Sequence, residues 1–424
     1  MGHRYLADPS SLVTNNEVYV YCSNDDPNPL EGGYSIPSVV CISTKDMKNW
    51  TDHGIVFEAA RDTTWATKSW APAAVERDGQ YYLYFGNGGG NIGVVTSTSA
   101  LGPFTDEIGH DLINWSTPGL KPFEHGWLFD PGVFIDDDGQ AYIYFGGNGD
   151  SNARVAKLND DMMSLDGDII KMEVPHFFEA AWPFKRNGKY YYSYSTTPKA
   201  GMRIDYMMSN SPVDGFVYAG VVADQPPINN NNNHAAQFKF KGKWYHVFHN
   251  RIVAKEAGIP TGFRRNIAIE SLSFKPDDTI EEVSYTTDGV KQIGHLNPYE
   301  RVEGETFYRE NGVETTQCSA GGMALTQLDN GDWIEIYGVD FGSVGATKFM
   351  AQIASSKEGG AIEIHMDSLD GKLIAVCNVP KTGGDQNWKM LQCQVQKVTG
   401  VHNLFLKFVG EEEGLFNLNF WMFK

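Results

Sequence analysis

Three acids, an imidazole and an indole occupy one phase of a repeating sequence. Asp8, Trp70, Asp130, Glu179 and His234 each stand eight or nine residues ahead of a short polar turn. Carboxyl groups brought to one point repel, and burial raises the cost of their charge. At least one then holds a proton at neutral pH beside ionised partners. That combination suits cleavage of a glycosidic bond, in which a carboxylic acid protonates the leaving oxygen while a carboxylate activates water or attacks the sugar. Glu179 follows Phe177 and Phe178 and precedes Trp182, the most apolar of the three settings, and is the candidate acid. Asp8, before a proline in a more polar stretch, is the candidate base, and Asp130 is the third carboxyl, which tunes the acid. Trp70, Trp127, Phe129 and Trp182 are candidate walls for a sugar ring, and Arg265 is a candidate for binding its hydroxyls. Each has a plainer reading: Asp-Pro starts turns, a lone histidine such as His234 is usually a satisfied core residue, and tryptophans pack cores. The shared phase is what favours the functional set.

Hairpins set that phase. NEVYVYC begins at Asn16, and DGQYYLYF, DGQAYIYF, NGKYYYSY and KGKWYHVF have their glycines at Gly79, Gly139, Gly188 and Gly242. In all five a tyrosine follows three positions later: Tyr19, Tyr82, Tyr142, Tyr191 and Tyr245. Glycine between two alternating apolar runs marks a tight hairpin, because it accepts the positive φ the turn requires. The spacing of roughly 50–60 residues is the length of one four-stranded blade. Five such units before about residue 295 predict a five-bladed β-propeller, whereas an ordinary sandwich has no need of this period. In a propeller the strand ahead of each turn is innermost and its start faces the axis, so the five residues converge on one axial pocket. Beyond Asn297 the repeat stops. Dense short strands such as GDWIEIYGVDFG (331–342) and GGAIEIHMDS (359–368) predict a β-sandwich. The expected organisation is all-β, with a propeller over 1–297 and a sandwich over 298–424.

The 424 residues carry a formal net charge of −19, which argues against nucleic acid or an anionic membrane surface as partner. No apolar run approaches the length of a membrane span. Cys22, Cys41, Cys318, Cys377 and Cys393 show neither CxxC spacing nor a disulfide framework, a pattern that fits a reducing compartment. MGHRYLADPS has no basic-then-apolar region. The expected location is therefore cytoplasmic, or secreted if a leader has been trimmed. GNGGGN at 86–91 is not followed by a helix and reads as a loop. NNNNNH at 229–234 reads as a low-complexity loop or as a pocket rim rich in side-chain amides.

In order along the chain, ADPS (7–10), WAP (70–72), FDPGVFIDDDGQAY (129–142), FFEAAWPFKRNGKYYYSYS (177–195) and NNNH…FKGKWYHVFHNR (231–251) resemble family 43 of the glycoside hydrolases. The resemblance covers residues 1 to about 295. It implies a five-bladed propeller that hydrolyses by inversion, with Asp8 as general base, Glu179 as general acid and Asp130 as the pKa-tuning acid. It also implies that His234 helps hold a central calcium ion, directly or through water, that Arg265 (or Arg264) binds substrate, and that Trp70 forms a subsite wall. Only seven residues precede Asp8, fewer than the family usually has, which leaves the closure of the ring to be explained. From about Arg301, RVEGETF, NGDWIEIYGVDFG, VPKTGGDQNW and LFNLNFWMF are similar to a family 6 carbohydrate-binding module. This second resemblance implies a jelly-roll sandwich with a structural calcium near Glu303 and Glu305, where Asn419 stands in place of the family's acidic ligand. Gln327 replaces an aromatic platform there, while Trp388 and Asn417 remain. The expected activity is inverting, exo-acting removal of α-L-arabinofuranosyl side groups from arabinoxylan or its oligosaccharides, a hemicellulose substrate. The alternatives are a β-xylosidase acting on xylo-oligosaccharides and, from another class, a non-catalytic glycan-binding propeller.

Overall fold

The turn residues read from the sequence build the blades. Asn15-Asn16, Asp78-Gly79, Asn187-Gly188 and Lys241-Gly242 all have positive φ at both positions, and Gly139 has φ 88° in the fifth turn. Two left-handed residues in succession match the twist of the strands they join. The computed structural model describes residues 2–27, 33–120, 126–149, 152–228, 232–358, 360–411 and 413–424. Residues 229–231 of the asparagine run lie outside the described residues.

Each turn joins the first two strands of a four-stranded antiparallel meander. The first meander is β1 (Leu6–Thr14), β2 (Glu17–Asn24), β3 (Ser38–Thr44) and β4 (Trp50–Phe57), and the second is β5 (Trp70–Arg77), β6 (Gln80–Gly86), β7 (Asn91–Ser97) and β8 (Ile113–Asn114). The third is β9 (Gly132–Ile135), β10 (Ala141–Phe145), β11 (Ala153–Leu158) and β12 (Leu165–Met172). The fourth is β13 (Phe177–Arg186), β14 (Lys189–Thr196), β15 (Ile204–Ser209) and β16 (Val217–Ala223). The fifth is β17 (Ala235–Phe240), β18 (Lys243–Asn250), β19 (Asn266–Phe274) and β20 (Ile280–Glu281). The first strands touch in the cyclic order β1, β5, β9, β13, β17 and back to β1. This is a five-bladed propeller with the first strand of every blade innermost.

Closure requires no strand exchanged between the chain ends, because the fifth blade takes all four strands from one stretch and β1 packs directly against β17, β18 and β19. Tyrosines latch neighbouring blades. The hydroxyl of Tyr21 donates to the Ala100 carbonyl at 2.6 Å, that of Tyr84 to Met162 at 2.5 Å, and that of Tyr191 to Asp278 at 2.6 Å. Tyr144 donates likewise to Pro212. A buried ring needs such an outlet for its hydroxyl, which is why these packing positions are tyrosine and not phenylalanine.

Two compact units divide the chain: Arg4–Cys41 with Ile55–Gly289, and Met1–His3 with Ile42–Gly54 and Val290–Lys424. The second unit is a sandwich of two antiparallel sheets around one apolar core that includes Ile336, Phe349, Ile364, Leu406, Trp421 and Phe423. Trp50 and Thr51, at the start of β4, also pair with Phe307 and Thr306 within this unit, and Trp50 is only partly buried. The cysteine reading needs correction. Cys377 and Cys393 form a disulfide between the outermost strands of the two sheets, while Cys22, Cys41 and Cys318 are buried outside any disulfide. The sandwich brings together two cysteines whose sequence spacing carries no motif. Among the described residues no helix is long and apolar enough to cross a membrane.

Candidate active site

The inner strands carry the same irregularity at the same phase. Asp8, Ala71, Asp130 and Ala180 have φ of 47°, 41°, 49° and 64°. Register slips at these points, between Ala7 and Ser10 on β1, Trp70 and Ala73 on β5, and Glu179 and Trp182 on β13. An extra residue on one strand of a pair re-aims the side chains beside it. Three of the positive-φ residues precede Pro9, Pro72 and Pro131. Proline brings no N–H to be left unpaired in a bulge. Left-handed non-glycine residues cost about 1–3 kcal/mol each, and here the strain turns the carboxylates out of the sheet and toward the axis.

They line a cavity of about 350 Å³ with residues from all five blades: Asp8, Tyr34 and Ile36; Trp70, Ala71 and Gly89; Trp127, Phe129 and Asp130; Phe178 and Glu179; Asn232 and Arg265. The aromatic wall is made of Trp127 packed edge-on against Phe129 and Phe178, with ring centroids 5.1 and 5.8 Å away. Trp70 forms a separate wall under the Lys68 ammonium, 5.0 Å from its ring. Gly89, from the glycine-rich loop, lets Trp127 lie close: a Cβ there would stand 3.0 Å from its ring.

The three acids are held in different electrical states. Burial pushes Asp8 upward, but the guanidinium of Arg265 and the imidazoles of His249 and His234 outweigh it and hold the carboxyl far below the usual carboxylate range. Arg265 Nη1 donates to Asp8 Oδ1 at 2.5 Å, while its Nε and Nη2 grip Asp25 at 2.9 and 2.8 Å. Asp8 is therefore a fixed anion. Glu179 is pushed up to about 8, first by burial and then by the charge of Asp8, so it is protonated at neutral pH. Among the described residues its buried Oε1 has no hydrogen-bond partner. Burial and the nearby charges of Glu179 and Asp8 also raise Asp130 well above its ordinary value, and Asp130 Oδ2 accepts the N–H of Ala180 at 3.0 Å. Environment has separated chemically similar groups into an acid and a base.

His234 Nδ1 lies 3.5 Å from Asp8 and 3.7 Å from Asp130, and burial lowers its pKa to about 4, leaving a neutral ring. Calcium takes six to eight oxygen ligands, and among the described residues no group of three or more His, Cys, Asp or Glu is placed to hold a metal. An ion on the axis beside His234 would therefore be held chiefly through water. The sandwich offers more. Glu305 is buried, its carboxyl is pushed well up by burial and by Glu303, and its Oε2 has no partner. Gly304 N–H donates to the Asn419 carbonyl at 2.7 Å, and the Asn419 amide donates to Gln352. Glu303 is itself held by Arg301 through two bonds of 2.7 Å.

Of the residues singled out from sequence, Asp8, Trp70, Trp127, Phe129, Asp130, Glu179 and Arg265 meet in the pocket, and His234 lies against two of its acids. Trp182 does not line it: its ring is buried and its Nε1 donates to the Gln237 carbonyl at 3.0 Å. Arg264 is partly buried outside the pocket lining, bonded to the Pro27 and Pro260 carbonyls. Sequence reasoning passed over Tyr34 and Asp25, which carry no motif of their own, His249, which lies inside the 231–251 motif without being singled out, and Phe178, which was read only as an apolar neighbour. Asn232 was within reach as part of the asparagine run.

A propeller with an axial acid–base pair of this kind defines a class of glycosidase, and comparison with known proteins places the chain within it. Residues 3–280 match the glycosyl hydrolases family 43, and residues 303–424 match the family 6 carbohydrate binding module. The chain belongs to family 43, with a family 6 module following. It is 41% identical to an arabinoxylan arabinofuranohydrolase of Bacillus subtilis, over all of this chain and 91% of that protein. To one of Paenibacillus polymyxa it is 39% identical, over all of this chain and 73% of that one. The crystal structure of a B. subtilis arabinoxylan arabinofuranohydrolase in complex with cellotetraose superposes with TM-score 0.93, covering all of this chain and 96% of that one at 39% identity. A β-xylosidase/α-arabinofuranosidase from a compost metagenome has a TM-score of 0.55 at 31% identity, over 67% of this chain and 96% of that one. Its structure, with xylotriose, is a calcium-free form.

Proposed function

We propose that this protein is an inverting, exo-acting α-L-arabinofuranosidase that removes arabinofuranosyl side groups from arabinoxylan or its oligosaccharides. The observation that carries the reading is the separation of Asp8, a fixed anion, from Glu179, a buried acid with a free oxygen, in one pocket walled by aromatics. The sugar ring lies against Trp70 and the Trp127–Phe129 wall. The proton on Glu179 passes to the glycosidic oxygen as the bond from the anomeric carbon breaks. A water deprotonated by Asp8 adds to that carbon from the opposite face, which inverts its configuration. Asp130 fixes the backbone beside Glu179 by accepting the N–H of Ala180. Lining from all five blades supports a closed pocket that takes a terminal residue, and the relatives support arabinose as that residue.

The test is the monosaccharide released from arabinose-decorated xylo-oligosaccharides. Arabinose alone sustains the proposal. Xylose turns it to the β-xylosidase reading, and release of no monosaccharide sinks both. The calcium reading is kept for the sandwich, where Glu305 with Glu303 and the oxygens of Gln352 and Asn419 would hold the ion, which would supply the charge that a buried carboxylate needs. Added calcium would then raise the melting temperature of the full chain, and Glu305→Gln would remove that shift.

A further inference from the structure

The two oxygens of Glu179 are in different states, and one residue accounts for the difference. Oε1 has no hydrogen-bond partner, while the carboxyl group is hydrogen-bonded by the Asn232 side chain. The Asn232 amide can stand only one way round. Its Oδ1 lies 2.9 Å from Arg251 Nη2 and 3.1 Å from the Tyr34 hydroxyl. A guanidinium can only donate, so the atom facing it is oxygen, and the NH₂ end is turned to Glu179.

The backbone of Asn232 is fixed as well. Its carbonyl lies 3.3 Å from His249 Nε2, and His249 Nδ1 lies 3.3 Å from the Asp8 N–H. The same Nδ1 lies 3.4 Å from Asp8 Oδ1, so the His249 ring bridges the Asn232 carbonyl and Asp8. One residue thus reaches the acid through its side chain and the base's backbone through His249.

Resting on the hydrolase reading above, we infer that Asn232 is a positioning residue that decides which oxygen of Glu179 carries the catalytic proton. Its N–H occupies Oε2, which makes that atom the carbonyl-like acceptor, and Oε1 becomes the hydroxyl facing the pocket. When the proton leaves Oε1 for the glycosidic oxygen and the sugar–oxygen bond breaks, the charge left on the carboxylate is met by a donor already in place. A hydrogen bond to a charged acceptor is about twice as strong as one to a neutral acceptor, so this contact strengthens as the transition state forms.

The experiment compares two substrates in the full-length chain: arabinoxylan, whose sugar oxygen leaves only when protonated, and an aryl arabinofuranoside with an acidic phenol that leaves without help. Asn232→Asp keeps acceptors for Arg251 and Tyr34 and removes the donor. Its kcat on arabinoxylan is expected to fall by about 10²-fold, the lower range for general acid catalysis, while kcat on the aryl substrate falls by less than about threefold. Tyr34→Phe, which only loosens the amide, should show the same bias at smaller size and covers the case in which Asn232→Asp does not fold. Equal losses on both substrates, or no loss on either, overturn the inference. If the unaltered protein releases pentose from neither substrate, the hydrolase reading itself fails, and the inference falls with it.

Discussion

The acid-bearing pocket of the propeller and the Trp388 edge of the sandwich both present polar groups around aromatic rings, but they treat those groups differently. In the pocket, Glu179 Oε1 is buried with no protein partner, and the backbone at Asp8 and Asp130 is bent into left-handed conformations to aim two carboxylates at one point. At the sandwich edge, Trp388 Nε1 donates to Ser319 Oγ at 3.0 Å, and the Asn417 amide donates to the Asp385 carbonyl at 2.8 Å. One region carries unspent hydrogen-bonding capacity and strain, both costly to stability. The other has satisfied itself. In a fold selected for a reaction, the costly region is where the chemistry belongs.

The largest expected effect comes from removing the acid or the base. Glu179→Gln cannot protonate a leaving sugar, and Asp8→Asn cannot take a proton from water. Each should lower kcat on arabinoxylan by about 10³-fold or more, measured as arabinose released. Glu179→Gln should retain more of its rate on an activated aryl arabinofuranoside than Asp8→Asn does, because only the acid's task depends on the leaving group. Equal losses on that substrate would undo the assignment of the two roles.

Arg265 is next. It clamps Asp8 and Asp25 from the stretch leading into β19, and so joins the first and last blades of the ring through charge. A lysine in its place keeps one charge but loses the planar fork. Arg265→Met leaves two buried carboxylates unpaired and should cost about 3–5 kcal/mol of stability, read from denaturant unfolding, as well as activity. A variant as stable as the parent would show that the ring closes by packing alone.

The pH response separates function from stability at a single residue. Because Glu179 must be protonated to act and titrates at about 8, kcat/KM should be sustained through neutral pH and fall as pH rises through about 8. The stability effect has the opposite character. Glu179's folded pKa is raised, so between the ordinary carboxylate value and about 8 the unfolded chain has released the proton while the folded chain retains it. Stability then falls as pH rises across that window. Glu179→Gln, which has no proton to lose, should therefore unfold at a higher temperature than the parent, with the gap wider at pH 8 than at pH 5. A gap that does not widen would place the pKa shift elsewhere.

How far the sequence reaches into this site follows from the same physics. The hairpins were readable because left-handed turns demand Gly or Asn, and Asn15-Asn16 and Lys241-Gly242 obey that demand at fixed spacing. The strand preceding each turn could then be counted back to Asp8, Asp130 and Glu179. Trp182 shows where counting fails. It lies three residues beyond Glu179, past the register slip on β13, and is buried with its indole bonded to Gln237. A bulge is a local event that a period does not report. Tyr34 and His249 were hidden for another reason: they reach the site through the closure of the ring, from positions with no phase relation to the acids. The pairing of Cys377 with Cys393 likewise depends on two sheet edges meeting, which no spacing rule records.

The smallest expected effect tests the quieter half of the comparison. If unspent hydrogen bonds mark a working site, Trp388→Ala in the full-length chain should change affinity for arabinoxylan by less than about twofold, measured by calorimetry at a temperature where turnover is negligible, or in the Glu179→Gln background. The ring is only partly buried and its one polar atom is already engaged by Ser319, so a sugar would have to displace an internal bond to use it. Gln327, with φ 53°, supplies no second ring. A large loss of affinity would show that a self-satisfied edge can still open for ligand. Free valence would then mark catalysis, where groups must be ready before the substrate arrives, and not binding, where the ligand can pay for the rearrangement itself.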